Sequence, residues 1–464
     1  MVRYVRLSKN YILRGYMDYP YVLANRVNGW VEILDCKTFL LLEMCSGMID
    51  FCAVYLTQEQ EHRLNSLREK GIVQFLQSRD RIDTEQAYRR VDNCFIRSIH
   101  WSVTGRCNLK CRHCYMSAPD YKYKDMSTAE CIRIIEQMDA AGVTSVSITG
   151  GEPFIRGDIW TILEAISKKS ITMSHIYTNG MLLTEQMAKR IQIMGLRPNF
   201  VISFDGVDGH DWLRAWKDAG EKVVSAIKML KKCGFPVMIE TAVYDGNINC
   251  LTETYELLKS LGIDYWKTSL IYEAGEWRKE GRRTVTTREL YDAYMKIIRA
   301  YISDVAPCSI QLDGFFACPA HKPDKWYSPY VKKTPGGTED AFCCATCRFD
   351  PYLLPNGRLM PCASMTDSEI EKDMPDLRTE TLSRLYKDAD NLFFRIADMK
   401  TSGFFDRNSE CAKCEYRRKC QGGCRAMSIL EGFGLYGHSR ILCTFFGEGY
   451  EDKIKKTVED VERR

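Results

Sequence analysis

The cysteines are the feature that most constrains this chain. Twenty-one occur in 464 residues, and many fall in tight, ordered groups. Cys107-Asn-Leu-Lys-Cys111-Arg-His-Cys114 puts three thiols within eight residues, and eleven more lie between Pro307 and Cys443. The opening MVRYVRLSKN has no apolar core followed by a small-residue cleavage site, so the expected compartment is the cytoplasm, where thiols stay reduced. A disulfide framework is therefore disfavoured, and metal or cluster ligation is expected instead. Three thiolates on one short loop can hold three irons of a cubane and leave the fourth open to a ligand.

Lys+Arg 65 against Asp+Glu 61 leaves a net charge of +4. No segment gathers that excess into a basic stripe, so nucleic acid is not an expected partner. The densest apolar run, Phe39 to Leu42, is far below the ~20 residues that cross a bilayer, and no membrane association is expected. The length implies about two to four domains.

Residues 1–90 open with the alternating runs Tyr21–Val27 and Trp30–Leu34. Asn28-Gly29 between them supplies the positive φ angles of a type I′ hairpin. A helix is expected from about Cys36 to Cys45, stopped by Gly47. Another starts at Thr57, with Gln60 as capping-box partner, and runs to Gly71 ahead of the apolar Ile72–Phe75. That order reads as a small winged helix, with a linker near Arg89 to Asn93.

Residues 97–303 alternate short apolar runs with amphipathic helices. The strands predicted are Ser98–Val103, Ser145–Thr149, His175–Thr178, Phe200–Phe204, Val237–Val243 and Tyr265–Ile271. Helices begin near Ser127, Thr184, Gly220, Cys250 and Thr286. Six βα units in that span imply an α/β fold, a parallel sheet curled into a partial (β/α)6 TIM-like barrel with function at the C-terminal strand ends. From 304 to 464 Gly, Pro and Cys punctuate short segments until a charged helix from about Glu448, a loop-rich, ligand-stapled region.

The triplet Cys107, Cys111, Cys114 follows the first of these strands and resembles the radical SAM superfamily. The resemblance implies a 4Fe-4S cluster whose open iron chelates S-adenosylmethionine, and an electron that releases a 5′-deoxyadenosyl radical. Thr149-Gly150-Gly151-Glu152-Pro153 looks like the family's GGE motif, with Gly150, Gly151 and Glu152 toward the methionine amino group. Glycine is expected there for close approach of the chain to the ligand. Thr178 and Asn179, Ser203 and Asp205, and Arg214 fall where similar enzymes contact the ribose and the methionine carboxylate. His113 takes the place of an aromatic against the adenine. Taken singly, Asn-Gly and Asp-Gly are ordinary turns; their order on successive strands carries the resemblance.

A second series runs Cys347-x9-Gly357-x4-Cys362, then Cys411-x2-Cys414-x5-Cys420-x3-Cys424, then Cys443. Seven ordered cysteines exceed one tetrahedral zinc site. Their order is similar to the SPASM extension of radical SAM peptide and protein maturases, which implies two auxiliary clusters and three 4Fe-4S clusters in all. Carried over, Cys411, Cys414, Cys420 and Cys443 would hold one auxiliary cluster, and Cys347, Cys362 and Cys424 the other. Cys344 would be the fourth ligand of the latter, with Cys343 as its rival or the position vacant. Cys308 and Cys318 read as structural or loop thiols.

The helix Thr57–Lys70 sets Glu59, Glu61 and Glu69 against Arg63, Arg68 and Lys70, which leaves no face for DNA phosphates. Residues 1–90 instead resemble the leader-recognition elements of peptide-modifying enzymes, where a precursor adds a strand to a hairpin edge. The implied activity is maturation of a ribosomally made precursor peptide, with a thioether, C–C or C–O cross-link as product and flavodoxin or ferredoxin as external electron donor. Epimerisation is an alternative. A formylglycine maturase is another, disfavoured because Ala363 follows Cys362 where that branch has an Asp. A non-enzymatic iron-sulfur or zinc winged-helix regulator would not need the Gly-rich strand ends.

Overall fold

A computed structural model describes residues 3–95, 97–332, 340–388 and 390–463. The N-terminal part contains β1 (Tyr4–Leu7), β2 (Tyr11–Gly15), β3 (Val22–Asn25), β4 (Val31–Ile33), α1 (Cys36–Met44), β5 (Ser46–Asp50), α2 (Gln58–Glu69), β6 (Val73–Leu76) and β7 (Arg89–Arg90). These strands form two small sheets, β5-β1-β6 and β4-β3-β2-β7, around a core that includes Val5, Leu7, Leu13, Leu23, Phe39, Leu42 and Leu64. The capping box of Thr57 with Gln60 starts α2 as its sequence predicts; α1 instead ends at Cys45, whose N–H donates to the Leu42 carbonyl, and Gly47 lies inside β5.

The β3–β4 hairpin forms, but its turn is not type I′. Of its two central residues only Gly29 has positive φ, and Asn25 N–H donates to the Trp30 carbonyl (2.8 Å) across a four-residue loop. The Asn25 side chain directs this outcome by accepting from Val27 N (2.8 Å) and Asn28 N (3.3 Å), a local turn that competes with the tighter one.

The central sheet takes β8 (Ser98–Ser102), β9 (Ser145–Thr149), β10 (Thr172–Thr178), β11 (Asn199–Ser203), β12 (Val237–Val243) and β13 (Tyr265–Leu270) in sequence order, all parallel. Between them run α3 (Thr128–Ala140), α4 (Ile159–Ser167), α5 (Glu185–Ile193), α6 (His210–Arg214), α7 (Ala219–Lys232) and α8 (Leu251–Ser260), and α9 (Thr287–Ser303) follows β13. Ser127 with Glu130 and Thr286 with Glu289 cap α3 and α9.

The sheet extends beyond the six expected strands. At one edge β14 (Ser309–Leu312) joins β13 in parallel and β15 (Phe316–Cys318) closes it antiparallel. At the other, after the short α10 (Ala345–Phe349), β16 (Tyr352–Leu353) lies parallel to β8 and pairs with β17 (Leu359–Met360).

The two faces of this sheet differ. Ile99, Trp101, Val146, Ile148, Phe200, Ile202 and Trp266 are buried in one core with the helical Ile135, Met138, Ile162, Ile166, Ile227 and Leu258. On β12 and β13 burial alternates strictly, unlike the continuous apolar run of a sheet covered on both faces. The alternate positions, among them His100, Glu240 and Lys267, face a polar chamber. In a flat sheet β8 and β12 would stand about 19 Å apart, yet the Glu240 carboxylate acts on the His100 ring. The sheet is therefore curled around that chamber.

The N-terminal sheets rest against the strands' starting ends. Asn93 Nδ2 donates to the Ala141 carbonyl (2.7 Å), the Tyr16 hydroxyl donates to the Gly142 carbonyl, and a Cβ on Gly29 would stand 3.0 Å from Ser145 Oγ. The chain's last long helix, Tyr450–Glu462, packs on α9. No helix among the described residues is long and apolar enough to cross a membrane.

Candidate functional site

Cys107, Cys111 and Cys114 lie on the loop leaving the C-terminal end of β8. Asp125 fixes the start of that loop by accepting from Gly105 N and Thr104 Oγ1, both at 2.8 Å. Arg112 holds its middle by donating from its backbone to Leu213 O (2.8 Å) and lying over the Trp212 ring (4.7 Å). Glu276 N donates to the Cys114 carbonyl (3.0 Å). The three thiols are near enough for each one's charge to raise another's pKa.

Each sulfur also has an N–H directed at it. Leu109 N (3.4 Å) and Asn179 Nδ2 (3.8 Å) reach Cys107, Arg214 Nη1 (3.9 Å) reaches Cys111, and Ala118 N (3.4 Å) reaches Cys114. Such donors stabilise thiolate and tune the potential of a cluster bound there. Burial opposes them, pushing Cys107 up to about 12 and Cys114 to about 11. Cys111 is likewise raised by burial, with Arg214 opposing. Iron would displace these protons, so thiolate at this loop is coupled to metal loading. His113 adds a flat ring driven neutral by burial, to about 3, with an unpartnered buried Nδ1. The donor set fits a thiolate-held cluster with an adjoining ligand.

The Gly-rich turn after β9 packs on this loop. Gly151 N and Glu152 N donate to Thr104 O and Arg106 O, both at 2.8 Å. A Cβ on Gly151 would come within 2.1 Å of the Arg106 carbonyl oxygen, and one on Gly150 within 2.7 Å of that of Thr104. The close approach that requires glycine here is thus to the cysteine loop's own backbone. Gly151→Ala is expected to cost about 1–3 kcal/mol by overpacking and to lower iron content; urea denaturation and iron assay of the purified variant check both.

Glu152 is fully buried. It accepts from Thr178 Oγ1 (2.9 Å), Asn179 N (2.9 Å) and Phe154 N (3.2 Å), and burial still pushes its carboxyl up to about 7. Asn179 Nδ2 also donates to Asn108 Oδ1 (2.8 Å), tying the β10 end to the cysteine loop. Ser203 ends β11 in register with Glu240 and faces the chamber.

Asp205 is wholly buried. It accepts from Arg214 Nε (2.6 Å), Arg214 Nη2 (2.9 Å) and Ala242 N (3.1 Å), with His210 Nδ1 at 3.0 Å. Burial alone would raise its pKa, but Arg214 and His210 hold it far below the usual carboxylate range. Asp205 therefore acts on the cysteine loop through Arg214. The sequence offered no sign of His210, Asn108 or Asp125, whose roles depend on partners distant in the chain.

Two further cysteine groups assemble. Cys344, Cys347, Cys362 and Cys424 are electrostatic neighbours of one another, whereas Cys343 is buried beside Arg425, Met399 and Phe404. Cys411, Cys414, Cys420 and Cys443 form the other group. The Tyr115 and Tyr352 hydroxyls meet at 3.0 Å, and Tyr352 lies within the influence of both Cys114 and Cys362. The first and second groups thus flank one end of the chamber. Cys308 and Cys318 are buried near Tyr301, whose hydroxyl donates to the Cys308 carbonyl (2.7 Å).

Residues 101–258 match the Radical SAM superfamily. An AdoMet-dependent heme synthase of Oleidesulfovibrio alaskensis is 26% identical over 75% of this chain and 87% of its own length. A PqqA peptide cyclase of Gluconobacter oxydans is 25% identical over 77% and 92%. Streptococcus suis SuiB bound to its precursor peptide SuiA shares the fold, with a TM-score of 0.68 at 16% identity, covering 95% of this chain and 99% of SuiB. Membership of the superfamily implies a 4Fe-4S cluster and S-adenosylmethionine. The chain thus contains a radical SAM domain over residues 101–258, and peptide-modifying enzymes are among its relatives.

Proposed function

We propose that the enzyme matures a ribosomally made peptide, with Cys107, Cys111 and Cys114 holding the cluster that binds S-adenosylmethionine. The group supplies, when bound, a 5′-deoxyadenosyl radical that takes a hydrogen atom from the substrate. In this reading Glu152, Thr178, Asn179, Ser203, Arg214 and His113 line the S-adenosylmethionine site, and Gly150 and Gly151 let the turn seat against the cysteine loop. Cys344, Cys347, Cys362 and Cys424 would hold one auxiliary 4Fe-4S cluster, and Cys411, Cys414, Cys420 and Cys443 the second. A flavodoxin or ferredoxin would deliver the electron. The product assigned is a cross-link, a thioether in the first instance.

The observation that carries this reading is the shared chamber. Glu240 on its wall acts on Tyr115, whose hydroxyl meets that of Tyr352, and Tyr352 feels both Cys114 and Cys362; in this reading a substrate carbon attacked in the chamber stands near an electron acceptor. Residues 1–90 add a docking edge. Strand β4 has one free side in its sheet, and the apolar Ile33 on it and Val27 and Trp30 in the loop that leads into it are 49–57% exposed. An extended leader adding a strand there would gain main-chain hydrogen bonds and side-chain pockets together.

Co-expression with the short peptides encoded beside the gene, read by mass spectrometry, tests the proposal. A peptide lighter by two hydrogens is the expected product. Unchanged mass with deuterium taken up from heavy water would replace cross-linking by epimerisation. No modified peptide, with a porphyrin converted instead, would move the enzyme to the chemistry named for its heme synthase relative.

A further inference from the structure

We propose that Asp313 is the general base of the reaction, taking the proton that the substrate nucleophile loses as the cross-link forms. This rests on the cross-linking reading above. Asp313 follows β14 directly, at the same end of the sheet from which the cysteine loop leaves β8. Its backbone is left-handed (φ +51°), a conformation that costs a non-glycine residue energy. Its N–H donates to Thr268 O (3.1 Å), which pins the residue at the chamber wall.

The carboxylate is surrounded but not neutralised. Tyr272, Tyr291, Tyr294 and Tyr330 all lie within reach of its charge, and burial together with that charge drives the four phenols well above their ordinary value. Tyr291 donates its hydroxyl proton to Ile441 O (3.0 Å), and Tyr294 accepts from Thr268 Oγ1 (2.8 Å). The Tyr330 phenol acts on the carboxyl so as to favour its charged form, while Oδ2 is buried with no partner among the described residues. The cation that acts on it is Lys267, itself paired with Glu240 (2.8 Å). Burial pushes the Asp313 carboxyl up to about 6, into the range where a general base works best near neutral pH.

Asp313 is linked through intervening side chains to both cysteine groups. Tyr272 feels both Asp313 and Cys424. Lys267 joins Asp313 to Glu240, and Glu240 in turn acts on Tyr115, next to Cys114. For a thioether the balance is complete: the hydrogen atom leaves the substrate carbon with 5′-deoxyadenosine, and the carbon radical bonds to the peptide sulfur. The S–H proton goes to Asp313 and the remaining electron to an oxidised iron–sulfur cluster.

Asp313→Asn keeps shape and removes basicity, and Asp313→Glu restores a carboxylate. In holoenzyme carrying 13C-labelled aspartate, infrared difference spectra should show one carboxyl titrating near pH 6 that is missing from D313N. On the co-expressed peptide, D313N should still form 5′-deoxyadenosine while cross-linked product falls at least about 100-fold, with partial recovery in D313E. Because the carboxylate is the active form, wild-type product formation should fall as pH drops through about 6; the groups facing it are Lys267 and the four tyrosines.

Product within threefold of wild type in D313N, or no carboxyl titrating between about 5 and 7, would overturn the proposal. Loss of 5′-deoxyadenosine together with product, in a variant of normal iron content, would overturn it too by placing Asp313 in the S-adenosylmethionine site. A wild-type enzyme that forms 5′-deoxyadenosine but no cross-link fails the cross-linking reading instead, and leaves Asp313 no proton to accept.

Discussion

Replacing Cys111 with Ala is expected to yield a folded protein with about four fewer irons per chain and 5′-deoxyadenosine formation at background. Cys111 is the thiol that Arg214 reaches, and its neighbours Cys107 and Cys114 hold their places through separate backbone contacts. Two thiols on a flexed loop cannot replace three. The measurements are iron and sulfide content after anaerobic purification and reductive cleavage of S-adenosylmethionine. Retained 5′-deoxyadenosine formation would remove the triplet from the chemistry. Because Cys344 and the distal cysteines lie on other segments, the remaining iron should persist.

The second large effect is expected at Asp205. Asp205→Asn leaves the Arg214 guanidinium buried without its countercharge, a loss of about 3–5 kcal/mol for a broken buried pair, and loosens the donor to Cys111. Urea denaturation of the variant and iron reconstitution measure the two consequences. The folded-state pKa of Asp205 lies below its unfolded value of about 4. Its stabilisation is therefore fully present above pH 4 and is lost as pH falls toward the folded value. Equal stability of D205N and wild type at pH 7 would contradict the account.

Local signals in the sequence carried much of the fold. The six parallel strands β8 to β13 appear where apolar runs alternate with amphipathic segments, and the capping box of Thr57 with Gln60 marks the start of α2 to the residue. What escaped was decided by distant parts of the chain. Strands β14 and β16 are four and two residues long, too short for periodicity, and exist because the sheet edges offer them hydrogen bonds. The short helix α6, which carries His210 and Arg214, has only five residues and is fixed by Asp205.

At the site, the family resemblance implied which cysteines belong together but not what surrounds them. Cys343 and Cys344 are adjacent and chemically alike, and only the packing of Cys343 against Met399 and Phe404 separates them. The glycines after β9 were legible as a close approach, though the surface approached is the Arg106 carbonyl. Asp313 left no trace in the sequence, since its character comes from tyrosines up to 41 positions away.

The N-terminal sheets meet the barrel at Ser145 and Gly142, where strands begin, while Cys107 lies beyond where they end. The seven residues of β10, at about 3.3 Å each, separate those levels by about 23 Å. Were a precursor anchored on β4, as proposed, it would have to span at least about seven extended residues before its first reactive side chain entered the chamber. The enzyme would act as a ruler: shortening the spacer between leader and core below that length should spare residues near the leader, whatever their chemistry, and shift modification to positions farther along the peptide.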